Sequence, residues 1–250
     1  MKIIFKKILF AITFLTIVPV PTSKKNENIA LAQAMSFFPL VGFLIGSCCY
    51  GLCKVSAVFN SALLSAVLIQ GFCLWITGAL HIEGLVDTID GFSAGPDQKT
   101  ILRVMKDKHC GAKGAAISGF LLLAKVVLIA ECVRCVQFKG IMLMPVFSRW
   151  VMVNCAVFCQ YARDNVGLGK VFVDNAGIRE FLFASITTIF LGWLFLPEHF
   201  ISLMIFYALF AGSAVVYLTH KLRGITGDVL GALNELSWIV GLLFILKLNL

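Results

Sequence analysis

Charge is scarce in this 250-residue chain. Asp, Glu, Lys and Arg make up 14% of it, against about 25% in an average soluble domain, and 60% of the residues are hydrophobic. That balance excludes a disordered chain, a basic nucleic-acid-binding domain and an ordinary water-soluble enzyme. No repeat of fixed period and no low-complexity tract interrupts the chain. No G-x-x-x-x-G-K-[ST] loop is present, so ATP hydrolysis of that type is not indicated. Cys132 and Cys135 form a C-x-x-C with no second pair and no nearby His, which argues against a zinc or redox site. The nine cysteines are odd in number and mostly lie in apolar runs, where a thiol behaves as a small hydrophobe rather than as half of a disulfide.

What is abundant is long apolar sequence. A spanning helix needs about 20 mostly apolar residues, and windows of that kind fall roughly at 34–53, 60–80, 114–137, 141–160, 180–197, 200–219 and 229–248. The predicted fold is therefore all-α: a polytopic integral membrane protein with about seven transmembrane helices, organised as one membrane-embedded domain over 1–250. The stretch from Phe5 to Val20 follows Lys2, Lys6 and Lys7 like a signal peptide, but no small-x-small cleavage pattern follows it. It is too short to span comfortably, so 1–33 reads as an interfacial or re-entrant segment.

Seven spans put 1–33, 82–113, 161–179 and 220–228 on one side. That side carries 15 of the 21 Lys and Arg residues, the opposite side carries Lys54, Arg134, Lys139 and Lys247, and Lys125 and Arg149 fall inside spans. The positive-inside rule predicts that the basic side is cytoplasmic. The net charge of +8 is thus orientation charge rather than a nucleic-acid surface. Most acidic residues share that side, so any chemistry is expected there.

The most informative stretch runs from Gly78 to Gly91. On a helix, Glu83, Asp87 and Asp90 stand at i, i+4 and i+7, in one stripe. Three carboxylates on one stripe repel one another. A hard divalent cation would neutralise them, and Mg²⁺ bound through carboxylates and phosphate oxygens suits an all-oxygen donor set. His81 and Thr88 add further donors, with His81 a candidate base. Arg103, Lys106, Lys108 and Lys113 follow, near Gly111 and Gly114, whose amides at a helix start favour phosphate. Arg163 is suited to a bidentate phosphate contact. Thr226 and Asp228 open the last helix, where the plainer reading is capping. Deeper in that helix lie Asn234 and Glu235. An ionisable residue inside a span is a functional candidate, as are Lys125 and Arg149; the plainer reading pairs Arg149 with Glu235.

Carboxylates, cations and glycine-rich loops on one face suggest phosphoryl transfer, which depends on charge neutralisation and positioning more than on a special nucleophile. The residues alone lead to a membrane-embedded, divalent-metal phosphotransferase. A CDP-alcohol-type phosphatidyltransferase and a membrane transporter are the alternatives. The first usually carries D-G-x-x-A-R, whereas Asp90-Gly91 here precede Phe92-Ser93-Ala94-Gly95. The second usually shows repeat symmetry.

The ordered motifs resemble the cobalamin synthase family, the adenosylcobinamide-GDP ribazoletransferases. They are Phe14–Pro21, Phe38–Gly42, Gly78–Gly91, Ile101–Asp107, Leu123–Lys125, Ser148-Arg149, Tyr161–Arg163 with Gly167–Gly169, and Gly224–Gly231. The resemblance covers nearly the whole chain. It implies a multi-pass enzyme of a prokaryotic inner membrane that joins adenosylcobinamide-GDP to α-ribazole, or its 5′-phosphate, and releases GMP with Mg²⁺ as cofactor. The family's acidic motif falls on Glu83, Asp87 and Asp90, the expected metal ligands. Asp87, Asp90 and His81 are the expected catalytic groups, and Arg103, Lys106, Arg163 and Arg149 the expected phosphate contacts. Asp228, Asn234 and Glu235 are further candidates. The resemblance leaves open a homo-oligomer or a complex with other cobamide-assembly enzymes. Two departures from the family pattern are Glu83, where Asp is more frequent, and Ala79, where a second Gly is usual.

Overall fold

The computed structural model describes residues 2–19, 32–107, 109–163 and 168–248. Lys24, Lys25, Lys108 and Gly167 lie outside the described residues, as does the end of the Phe14–Pro21 motif. The described residues form eleven α-helices: α1 (Lys2–Leu15), α2 (Phe38–Ser56), α3 (Ala62–Ile76), α4 (Leu80–Ser93), α5 (Gln98–Val104), α6 (Ala112–Arg134), α7 (Phe138–Phe158), α8 (Leu168–Asn175), α9 (Ile178–Phe195), α10 (Phe200–Leu222) and α11 (Gly227–Leu248).

Six helical stretches are long and apolar enough to cross a bilayer: Ala32–Ser56, which contains α2, together with α6, α7, α9, α10 and α11. The seventh expected span differs. Window 60–80 contains only α3, 15 residues long, and the chain then turns by 89° into α4. The region 82–113, read from the sequence as a loop, is mostly helix: α4, α5 and the start of α6. Charge and glycine there signal a functional helix, not a coil. The segment 161–179 likewise contains α8. At 14 residues, α1 is about 21 Å long, short of the roughly 30 Å hydrocarbon core. Phe10, Ala11 and Leu15 are buried against the bundle, and the Ile17 amide donates to the Ile76 carbonyl at 2.8 Å.

The six long helices make this a multi-pass membrane protein, and their sequences explain the packing order. The apolar residues of α7 run around its whole circumference, so it belongs at the centre, where nearly all of it is buried. Gly42 and Gly46 of α2 let that helix reach the α7 backbone at Pro145 and Met142, where any Cβ would collide with a carbonyl. From the other side, Trp150 Nε1 donates to Ser185 Oγ on α9 at 2.8 Å. On α10, the Tyr207 ring stacks on Phe147 at 4.8 Å and its hydroxyl donates to the Ser237 carbonyl at 2.9 Å. The outer helices turn large apolar side chains outward, among them Phe120, Leu123, Ile186, Phe190, Trp193, Ile205 and Leu209. Such a surface suits lipid rather than water.

The bend between α3 and α4 rests on two consecutive left-handed residues, Gly78 at φ +58° and Ala79 at φ +56°. Glycine adopts that conformation freely, whereas for alanine it costs roughly 1–2 kcal/mol. Replacing Ala79 with Gly removes that strain and loses roughly 0.4–1 kcal/mol through greater freedom of the unfolded chain. The Ala79→Gly protein is therefore expected to melt about 1–4 °C higher in detergent micelles. An unchanged or lower melting temperature would show that the bend carries no strain at Ala79.

Candidate active site

Helix α4 buries His81, Gly84, Leu85 and Gly91, and this face meets the start of α11. The contact is backbone to backbone. A Cβ on Gly84 would strike the main chain of Asp228 at 2.5–3.1 Å, and one on Gly231 would meet the main chain of His81 at 3.2–3.3 Å. The acid stripe predicted from spacing is present on this helix, with Glu83 exposed and Asp87 and Asp90 half-buried. The glycine contact adds Asp228 to it. Burial first, and then the carboxylates of Asp228, Glu83 and Asp90, act against the charge of half-buried Asp87, and Arg163 favours it. Thr226 caps α11, its Oγ1 accepting from the Val229 amide at 3.3 Å, as the plainer reading expected. Asp228 does something else.

Arg163 donates from Nη2 to Asp228 Oδ2 at 2.8 Å. A short parallel bridge brings it there: the Ala162 amide donates to the Ile225 carbonyl at 3.0 Å and the Ile225 amide to Gln160 at 2.8 Å. Gly224, at φ +153°, fits this crossing because a Cβ would run into the Gln160 carbonyl. Arg163 and Asp228 are 14% and 26% exposed, so the pair is only partly screened by solvent.

Asp90 is held differently. Its Oδ2 accepts from the Gly111 amide and its Oδ1 from the Gly114 amide, both at 2.8 Å. It therefore serves as the anion at the α6 amino terminus, capping it from another helix. This corrects the expectation that the Gly111 and Gly114 amides face phosphate: the protein's own carboxylate occupies them. The absence of Cβ atoms is what admits it, since at either glycine a Cβ would collide with the Asp90 carboxylate.

Beside Glu83 and Asp228 opens a cavity of about 250 Å³. Phe14, Met35, Phe38, Met152, Phe172 and Leu230 make most of its lining apolar, and Glu83 and Asp228 are its acidic groups. Buried His81 is part of the wall, and its Nε2 has no hydrogen-bond partner. No single motif reveals this cavity, because its three Phe residues come from α1, α2 and α8.

Below His81 lies a second, buried polar cluster of Gln70, Thr77, Lys125, Arg149, Asn234 and Glu235, around a space of about 10 Å³. Here the expected Arg149–Glu235 pairing is replaced by Lys125 Nζ to Glu235 Oε2 at 2.8 Å. Lys125 also lies 4.2 Å from the Trp238 ring centroid, and Asn234 Nδ2 donates to Glu235 Oε1 at 3.1 Å. Arg149 Nη1 instead donates to the Pro145 carbonyl at 3.2 Å. Arg149 is thus brought to the buried cluster and not to the surface acids. Arg103, in the last turn of α5, and Lys106, just after it, are exposed, and among the described residues neither has an ion-pair partner.

Among the described residues, no three His, Cys, Asp or Glu side chains form a ready metal cage. The arrangement still suits Mg²⁺, which is characteristically held by one or two carboxylates and completes its shell with water and phosphate oxygens. Asp87 and Asp228 are hard oxygen donors in mutual repulsion, the condition that such an ion relieves.

The chain matches the family model described as Cobalamin-5-phosphate synthase over residues 7–246. Its relatives include proteins named adenosylcobinamide-GDP ribazoletransferase. The one from Alkaliphilus metalliredigens is 34% identical over 100% of this chain and 98% of its own length. That from Syntrophobacter fumaroxidans is 36% identical over 90% and 92%, and that from Caldanaerobacter subterraneus subsp. tengcongensis 28% identical over 96% and 97%. No solved structure matches. A match along almost the whole chain places this protein in the cobalamin-5-phosphate synthase family.

Proposed function

We propose that this chain transfers the cobinamide phosphate of adenosylcobinamide-GDP to α-ribazole or its 5′-phosphate and releases GMP. The observation that carries this reading is the meeting of the α4 acids with Asp228 and Arg163 beside a small cavity that Glu83 and Asp228 line. A ribose hydroxyl attacks the phosphorus nearer cobinamide. A new P–O bond forms, the bond to the bridging pyrophosphate oxygen breaks, and GMP leaves with that electron pair. Glu83 lines the cavity and has no hydrogen-bond partner among the described residues, so it takes the hydroxyl proton. His81 is less suited, because burial, and after it the charges of Arg149 and Lys125, oppose a positive charge on its ring. Arg163 offsets the developing negative charge. Exposed Arg103 and Lys106 attract the anionic nucleotide substrate.

Asp87 and Asp228 would hold Mg²⁺, which when bound neutralises pyrophosphate and transition-state charge. Asp90, with both oxygens already engaged by amides, serves to fix α6 rather than to hold the ion. The transporter alternative finds no support in the buried Lys125–Glu235 cluster, whose space of about 10 Å³ has room for roughly one water.

The test is GMP release by membranes or purified protein that requires both substrates and Mg²⁺. Replacing Asp87 with Asn is expected to cut turnover by at least ~10²-fold while leaving the melting temperature unchanged or higher, since a mutual repulsion is removed. Asp90→Ala is expected to behave oppositely in stability, losing about 1–2 kcal/mol with its cap. Full activity in Asp87→Asn would remove Asp87 from the chemistry, and equal melting of Asp90→Ala and wild type would remove the capping role.

We also place the acid face in the cytoplasm, with the protein in the plasma membrane of a prokaryote. Cys110 and Cys135 are exposed at opposite ends of α6, a 23-residue helix about 34 Å long. In intact spheroplasts an impermeant maleimide is expected to label Cys135 and spare Cys110, with Cys110 labelled only after lysis. The reverse pattern would invert the topology.

A further inference from the structure

We infer that the apolar lining of the 250 Å³ cavity is the binding site for the flat aromatic base of the nucleoside acceptor. This rests on the transferase reading above and assigns one substrate to one place.

Size decides first. Clefts that enclose whole drug-sized ligands run to roughly 300–1,000 Å³, so this one accommodates a bicyclic base with its sugar and excludes a corrinoid macrocycle. The cobinamide moiety must therefore stay outside, with only its phosphate reaching the acids.

Polarity decides between the two bases in the reaction. Phe14, Phe38 and Phe172 converge, with centroids 4.4 Å apart for Phe14–Phe172 and 5.7 Å for Phe38–Phe172. Met35, Met152 and Leu230 complete that lining. Guanine carries hydrogen-bonding groups along its edges, and burying them there without partners would be costly. The dimethylbenzimidazole of α-ribazole presents methyl groups and π-faces instead, which match rings and thioethers. It has one free ring nitrogen, an acceptor. His81, only 2% exposed, is the polar side chain in the wall nearest the buried cluster.

Placing the base among the clustered phenylalanines then sets the orientation. The ribose is left to face Glu83 and Asp228, the acids that line the same cavity, and its hydroxyl reaches the proton acceptor and the phosphorus.

The test measures the KM of each substrate separately in GMP release, and binding of radiolabelled α-ribazole to the purified full-length protein by equilibrium dialysis without adenosylcobinamide-GDP. Phe172→Ala is expected to weaken α-ribazole in both measurements by roughly 5- to 100-fold, the range that loss of a ring–base contact produces. The KM for adenosylcobinamide-GDP should stay within about two-fold of wild type on the same account. Phe172→Leu keeps the apolar volume and removes the ring, so it covers the case in which the alanine variant fails to fold; it should shift α-ribazole in the same direction. Unchanged α-ribazole binding in the folded leucine variant, or equal losses for both substrates, would overturn the assignment. So would a co-purifying lipid, detected by native mass spectrometry, that α-ribazole cannot displace. If wild type released no GMP, the transferase reading would fail, while dialysis would still report whether α-ribazole occupies the cavity.

Discussion

Two helices can bring backbone against backbone only where no side chain stands between them. Gly84 and Gly231 create that condition between α4 and α11. Everything at the polar face follows from this contact. It turns the first turn of α11 toward the acid stripe, so that Asp228 acts on Asp87 more strongly than Glu83 or Asp90 does. It also sets His81 over the buried cluster and forms one wall of the cavity. A methyl group at Gly84 would move Asp228 away from these partners, and with it Arg163.

The resulting site is electrostatically unfavourable by construction. Four carboxylates share one end of a bundle in a chain with only 13 acidic residues, and among the described residues one ion pair, Arg163–Asp228, relieves them. A chain selected for stability alone would separate these charges. On the proposed reaction, a cation and a pyrophosphate would complete the balance during turnover. The apolar bundle bears the cost: its interlocked α2, α7, α10 and α11 supply stability far from the repulsion.

Much of this was legible in the sequence, and the failures share a cause. Apolar runs locate all six long helices, and the i, i+4, i+7 spacing of Glu83, Asp87 and Asp90 identifies a helical stripe. Periodicity speaks about one segment at a time, however. It could not say that the amides of Gly111 and Gly114 would find Asp90 rather than phosphate. Nor could it choose between Lys125 and Arg149 as partner of Glu235, since both are cations in apolar runs and only the crossing of α6 with α11 decides. The cavity was invisible for the same reason: Phe14, Phe38 and Phe172 read as ordinary membrane aromatics until three distant segments meet. Beyond that stripe, 82–113 reads as loop because charge and glycine are signs of loops in most chains, whereas the structure also forms α5 and the start of α6 there.

The three elements around the site are tied pairwise, and by different forces. Helices α4 and α11 are joined by glycine contact, α4 and α6 by the two amide bonds to Asp90, and α6 and α11 by the buried Lys125–Glu235 pair. A buried ion pair adds little net stability over a well-packed apolar pair, but breaking one partner strands a charge and is strongly destabilising. Its effect is therefore to forbid sliding of α6 along α11 rather than to hold the bundle together. The Asp90 cap is similarly directional, because two amides fix both oxygens of one carboxylate. A triangle closed by three geometry-sensitive contacts keeps the carboxylates in place despite their repulsion. Phosphoryl transfer, which depends on positioned charge more than on reactive groups, requires that rigidity.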